Sequence, residues 1–334
     1  MTDPQLLDAL MEESAEQDVP GFLKKRDLCR GLMLRGCGVY HVAHYTAGVL
    51  DFALDLLAHE TAPPAVDDAD LRQRRDLHRR AGAHLVYRAT ELNRRLWELQ
   101  SGALIRMVVQ TRAGLVFCNS VVGSEHVVGF GAAPQSAGDL ADPALVSEID
   151  RAAAELATDL RRLVRQRSQN PGGWLTAQDG QHPPDPRTSA DTVPSQVSGS
   201  TGPSDPLAAV LRPAGLHYLS HHRAGEQVAG VDILERPELG PFFNRGVTVA
   251  DRRTRYRRLA GDLALLALQV SRDLRRTVVG DVARLVLDVE MGAVYYYRLS
   301  PDDYLFGVTL DQDAVSQADS SMWTVARQLT EFPG

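Results

Sequence analysis

Two histidines raise the first chemical question. His44 and His221 each stand just before an Ala-Gly pair, Ala47-Gly48 and Ala224-Gly225, with His41 and His222 close by. A histidine so placed would serve as a metal ligand or a general base. No carboxylate or cysteine stands at ligand spacing beside either one. His41 and His44 would also point to opposite faces of a strand. The plainer reading therefore leads: a side chain that packs at a strand end or steadies the turn. Asp55 and Asp232 lie further on, in apolar runs. Either would make a catalytic acid, but an aspartate in such a run more often accepts backbone hydrogen bonds. On this evidence no catalytic residue, metal ligand or cofactor-binding residue is assigned.

The arginines form a second pattern. Arg74, Arg75, Arg79 and Arg80 run into Ala81-Gly82, and Arg252, Arg253, Arg257 and Arg258 run into Ala260-Gly261. Both clusters fall at the start of a helical stretch, where positive charge opposes the helix dipole. Asp67, Asp68, Asp70 and Asp251 are placed to compensate it. A solvated, ion-paired face is the leading reading, with an acidic protein partner second. These eight arginines are the candidate interaction residues. Nucleic acid is disfavoured, because no interleaved aromatics or known recognition motif accompany them.

Other chemistries are excluded by what is missing. No Gly-x-x-x-x-Gly-Lys-Ser/Thr, Gly-x-Ser-x-Gly or His-Glu-x-x-His occurs. Cys29, Cys37 and Cys118 are odd in number and form no Cys-x-x-Cys, which argues against a disulfide framework or a cysteine zinc site. The 334 residues are 44% apolar and 24% charged, with a net charge of −7. That composition excludes a collagen, a wholly disordered chain and a nucleic-acid scaffold along the whole length. Lys24 and Lys25 are the only lysines, a bias expected of a GC-rich genome. The start of the chain lacks the order of a signal peptide. The longest uncharged apolar-rich run, 39–50, is short of the roughly 20 residues that span a bilayer. A cytoplasmic protein without a membrane partner is expected.

The elements that position these residues occur twice. Gly38, His44, Ala47, Gly48, Asp55 and Leu57 match Gly215, His221, Ala224, Gly225, Asp232 and Leu234 at an offset of 177. The arginine clusters follow at 178, and 107–132 aligns with 285–310 at the same offset. This is a tandem duplication. Each copy reads as a hairpin around the Ala-Gly pair, then a long helix. Leu77, Ala81, Leu85, Ala89, Leu92 and Leu96 stripe the first helix, and Leu259, Leu263, Leu266, Val270 and Leu274 the second. Three strands follow, at 104–111, 115–121 and 126–131, and at 284–290, 293–299 and 304–310. A closing helix ends each copy. The fold class expected is α+β: two antiparallel five-stranded sheets with packed helices, in the order β-β-α-β-β-β-α. An N-terminal helical segment (1–30, with a helix over 4–15) precedes module 1 (31–167). A disordered linker (168–205), rich in Pro, Gly, Ser and Thr, leads to module 2 (206–334).

That order, and above all the stretch 281–329, resembles the Roadblock/LC7 family of longin- and profilin-like domains. The resemblance implies interaction and no catalytic signature. Such domains commonly dimerise, and in bacteria they often partner or regulate small Ras-like GTPases. It implies a non-enzymatic dimerisation scaffold or regulator with a protein partner, and self-association within or between chains. A linker of nearly 40 residues reaches very roughly 35 Å, enough for the modules to pair. GAF and PAS domains share similar sheets, so a pair of small-molecule sensor domains is the alternative. An enzyme built on the His44/His221 position comes last.

Overall fold

The computed structural model describes residues 4–14, 20–66, 69–132, 143–174, 196–198, 205–243 and 246–331. They form helices and antiparallel sheet, an α+β architecture. The chain divides into two compact units. Unit 1 takes Met1–Asn93, Ile105–Pro171 and Leu268–Ala283; unit 2 takes Arg94–Leu104, Gly172–Ala267 and Arg284–Gly334. Neither unit is contiguous in sequence.

Unit 1 opens with α1 (Pro4–Ala9), β1 (Met11–Ser14) and α2 (Pro20–Met33). The hairpin β2 (Val39–Thr46) and β3 (Val49–Asp55) leads to α3 (Leu71–Leu96), whose last turn falls in unit 2. Strands β4 (Leu104–Thr111), β5 (Gly114–Val122) and β6 (Glu125–Ala132) follow, then α4 (Pro143–Leu163). The sheet runs β1-β3-β2-β6-β5-β4, antiparallel throughout.

Unit 2 contains β7 (Gln196–Ser198), α5 (Asp205–Ala208), β8 (Tyr218–Arg223) and β9 (Glu226–Asp232). Then come α6 (Val249–Leu274), whose residues from Leu268 fall in unit 1, β10 (Arg284–Val289), β11 (Ala293–Ser300), β12 (Asp303–Thr309) and α7 (Val315–Glu331). Its sheet runs β7-β9-β8-β12-β11-β10.

Local chemistry accounts for these elements. Ala47-Gly48 and Ala224-Gly225 all have positive φ, at 51°, 80°, 51° and 83°. Two successive left-handed residues make the tight turn that suits the twist of a hairpin. Just before each turn the register slips, between His44 and Tyr45 and between His221 and His222. Helix α3 is capped by Asp70, whose carboxylate accepts the Gln73 N–H at 2.8 Å. Helix α6 carries a reciprocal cap: Thr248 Oγ1 accepts the Asp251 N–H, and the Asp251 carboxylate accepts the Thr248 N–H, each at 3.1 Å. Asp70 and Asp251 thus meet the helix starts as expected, while Asp67 and Asp68 lie outside the described residues. The apolar stripes are buried from Ala81 to Leu96 and from Leu259 to Leu274; only Leu77 is half-buried.

Among the described residues each unit holds six strands where five were expected, because β1 and β7 are added at β3 and β9. The helix expected over 4–15 stops at Ala9. Strand alternation from Met11 sends neighbouring carboxylates to different helices. Glu12 reaches Arg26 and Arg30 on α2, and Glu13 reaches Arg79 on α3. Most of the linker expected at 168–205 lies outside the described residues. Its described ends are structured. Pro171–Gly173 form a 3-10 turn, the Gly172 N–H donates to Asp288 at 2.7 Å, and Gln196–Ser198 pair with β9.

Candidate functional site

Asp55 and Asp232 are brought directly to the arginine clusters. Asp55 ends β3, and Arg75 on α3 donates Nε and Nη2 to its two oxygens at 2.8 and 3.3 Å. Asp232 ends β9, and Arg253 on α6 donates to it twice at 2.8 Å. Each aspartate also accepts the backbone N–H two residues on, from Leu57 at 3.2 Å and Leu234 at 3.1 Å. Both carboxylates are buried. A bidentate pair of this kind fixes direction as well as distance, so it sets the helix against the strand that precedes it. Three hydrogen bonds thus hold each carboxylate in its place.

The preceding arginines hold the connecting segments. Arg74 donates to the carbonyls of Leu57 and Pro63 at 2.9 and 2.7 Å. Arg252, 1% exposed, reaches the Phe242 carbonyl, the Ser101 hydroxyl and the Tyr256 hydroxyl, and its guanidinium lies 5.0 Å from the Phe243 ring centre. Arg79 pairs with Glu13 and Asp76. Arg80, Arg257 and Arg258 remain exposed. The eight arginines therefore split: most tie the helix start to the fold, and three face outward. Clefts of about 300 Å³ beside Arg79 and Arg80, and about 270 Å³ beside Arg253 and Arg257, adjoin them. Neither is lined by His44 or His221.

Both repeated histidines meet a carboxylate on the neighbouring strand. His44 Nε2 lies 3.6 Å from Glu125 at the start of β6, and His221 Nε2 bonds Asp303 at the start of β12. The two carboxylates stand 178 positions apart, in the same register: Thr46 faces Glu125, and Arg223 faces Asp303. In unit 1 the network is larger. His44 Nδ1 bonds Asp51 at 2.6 Å, Thr46 donates to Asp51 at 2.8 Å, and Lys25 pairs with Glu125 at 2.5 Å. Burial opposes charge on His44, but its bond to Asp51 and the nearby Glu125 carboxylate prevail and raise its pKa. Contact with His44 and Lys25 holds the Glu125 carboxyl down to about 2. His44 is fully buried, stacked on Phe52 and edged by Phe22. Among the described residues no hydroxyl or thiol bonds its ring, so no nucleophile is paired with it.

His41 faces away from His44, as alternation requires. It meets His78 of α3, their ring centres 5.2 Å apart. Both are buried, and both His41 nitrogens and His78 Nε2 find no hydrogen-bond partner. Burial, and then the neighbouring His78, depress His41 well below the ordinary histidine range; burial lowers His78 to about 4. The corresponding positions in unit 2 hold Tyr218 and Tyr256, with ring centres 5.3 Å apart. One aromatic contact between strand and helix is thus built from histidines in one copy and tyrosines in the other.

A further buried pair escaped the sequence reading. Arg106 on β4 bonds Asp150 on α4, both almost fully buried. Arg284 on β10 bonds Asp319 on α7, which also accepts from Tyr297 at 2.7 Å. The two arginines are 178 positions apart, and each stands one residue before the aligned stretches 107–132 and 285–310. Cys29, Cys37 and Cys118 are free and buried.

Among the described residues no group of three His, Cys, Asp or Glu could hold a metal ion. No described helix is long and apolar enough to cross a membrane. A scan against protein-family models finds no match. A search of curated proteins likewise finds none.

Proposed function

We propose that this chain is a non-enzymatic interaction protein. In this reading it carries two Roadblock/LC7-like modules and acts as a dimerisation scaffold or as a regulator of a partner such as a small Ras-like GTPase. The strand order within each unit supports it, since β3-β2-β6-β5-β4 and β9-β8-β12-β11-β10 both give the β-β-α-β-β-β-α module once the added edge strand is set aside. The residues best suited to chemistry support it too. Asp55, Asp232, Arg75 and Arg253 are spent on one another, and His44 is sealed among aromatic rings.

One observation carries the proposal. The long helix of each copy exposes a large apolar side chain at the corresponding position, Tyr87 at 61% and Leu265 at 55%. Repeated apolar exposure on a helix face suits a partner surface better than water. The test is affinity capture with the full chain, because residues 94–104 and 268–283 each belong with the other copy's unit and separate modules would be incomplete. The wild-type chain is expected to retain a stoichiometric protein partner that the Tyr87→Ser/Leu265→Ser variant loses.

A further inference from the structure

Unit 2 contains a cleft of about 320 Å³ lined by three arginines: Arg95, Arg255 and Arg258. Buried Leu99 and Leu259 supply its apolar part. Arg255 is anchored by a bond to the Glu98 carbonyl oxygen. Arg95 and Arg258 are exposed and make no ion pair among the described residues.

The module does not need this lining. At the corresponding positions 178 away, Arg255 is replaced by Leu77 and Arg95 by Asp273, and only Arg258 has an arginine counterpart, Arg80. Like charges gathered in one concave site repel and are stabilised by an anion. The planar fork of arginine matches phosphate oxygens in pairs. Glu98 and Asp262, two acidic residues, also line the cleft. They disfavour a polyanion and offer acceptors to hydroxyl or amino groups.

We propose that this cleft binds a small phosphate monoester bearing hydroxyl groups, of the sugar-phosphate or nucleoside-monophosphate class. Arg95 and Arg258 hold the phosphate, Leu99 and Leu259 receive the apolar part, and the carboxylates accept from the hydroxyls. A pocket of this size suits a ligand of that scale. The assignment does not rest on the interaction reading, since Tyr87 and Leu265 lie outside the cleft lining.

The test is calorimetric titration of the full chain with ribose 5-phosphate, adenosine monophosphate and inorganic phosphate at low salt. Saturable binding is expected for at least one of the two esters, and it should exceed that of inorganic phosphate. Arg95→Ala and Arg258→Ala should each weaken it at least tenfold, with thermal midpoints unchanged, while Arg258→Lys should retain part of the affinity. No binding by either ester would overturn the proposal, as would equal affinity in the alanine variants. Preferential binding of a polyglutamate peptide would overturn it as well, and would reassign the cleft to an acidic protein surface.

Discussion

Arg253 holds Asp232 by two N–H···O bonds of 2.8 Å each. The aspartate closes β9 and the arginine opens α6, so one pair sets the angle between strand and helix. Removing Asp232 leaves Arg253 with only the exposed Glu235, at 2.7 Å, and breaking a buried pair costs about 3 kcal/mol. Asp232→Ala should therefore lower stability by about that amount in urea unfolding. Asp55→Ala should do the same for unit 1. A loss below about 0.5 kcal/mol, the range of ordinary surface substitutions, would show that the pair does not orient the helix.

The pairs between sheet and closing helix lead to a different expectation. Arg106 and Asp150 are both nearly fully buried. Asp150→Ala should cost roughly 3 to 5 kcal/mol, because Arg106 keeps its charge inside. Replacing both by apolar residues, Arg106→Met with Asp150→Leu, should cost clearly less. Denaturation midpoints of the two variants compare these directly. A double variant less stable than the single one would contradict the expectation.

The histidines give stability a dependence on pH with two opposite signs. His78, lowered to about 4 by burial, and His41, held well below the ordinary histidine range, stay neutral in the folded chain while the unfolded chain takes up protons below about 6.5. Their contribution is full above pH 6.5 and falls below it, that of His78 being lost as pH drops toward 4. The slope is up to about 1.4 kcal/mol per pH unit for each group. His44 acts in reverse. Its raised pKa gives a contribution that is full below the unfolded value and lost as pH rises through the folded one. Ring-proton NMR between about pH 7 and pH 5 should show His41 and His78 unprotonated throughout and His44 titrating above the normal range. Ordinary titration of all three would refute this assignment.

Ala47 and Ala224 occupy left-handed backbone, at φ of 51° in each case. An L-residue with a Cβ is strained there by about 1 kcal/mol, and asparagine tolerates the conformation better. Ala47→Asn and Ala224→Asn should each raise the thermal midpoint. An unchanged or lower midpoint in both would mean that the turns are not under strain.

Much of this was legible in the residues. The Ala-Gly pairs announced the two hairpins, since glycine bears the positive φ that a tight turn needs. The leucine stripes of α3 and α6 followed from period alone. The repeat picked out His44, His221, Asp55 and Asp232, yet the partners stayed hidden. Asp55 and Arg75 are twenty positions apart, and only the packing of helix on strand joins them. Glu125 and Asp303 correspond, but they differ in residue type and so left no identity to find. Strands β1 and β7 gave no signal of their own, because a short segment becomes a strand only where a sheet edge is open to receive it. The sixth strand of each unit could not have been read from pattern.

The interaction reading is tested most directly at the two exposed helix faces. Tyr87 and Leu265 are more than half exposed, so Tyr87→Ser/Leu265→Ser should change stability by no more than about 0.5 kcal/mol per site. The measurement is quantitative affinity capture from the source cells, with wild-type and variant full-length chains matched in thermal midpoint. A protein partner held near one-to-one by the wild type and lost by the variant is the expected result. The same captured proteins in both, or none near stoichiometric amount in either, would contradict it.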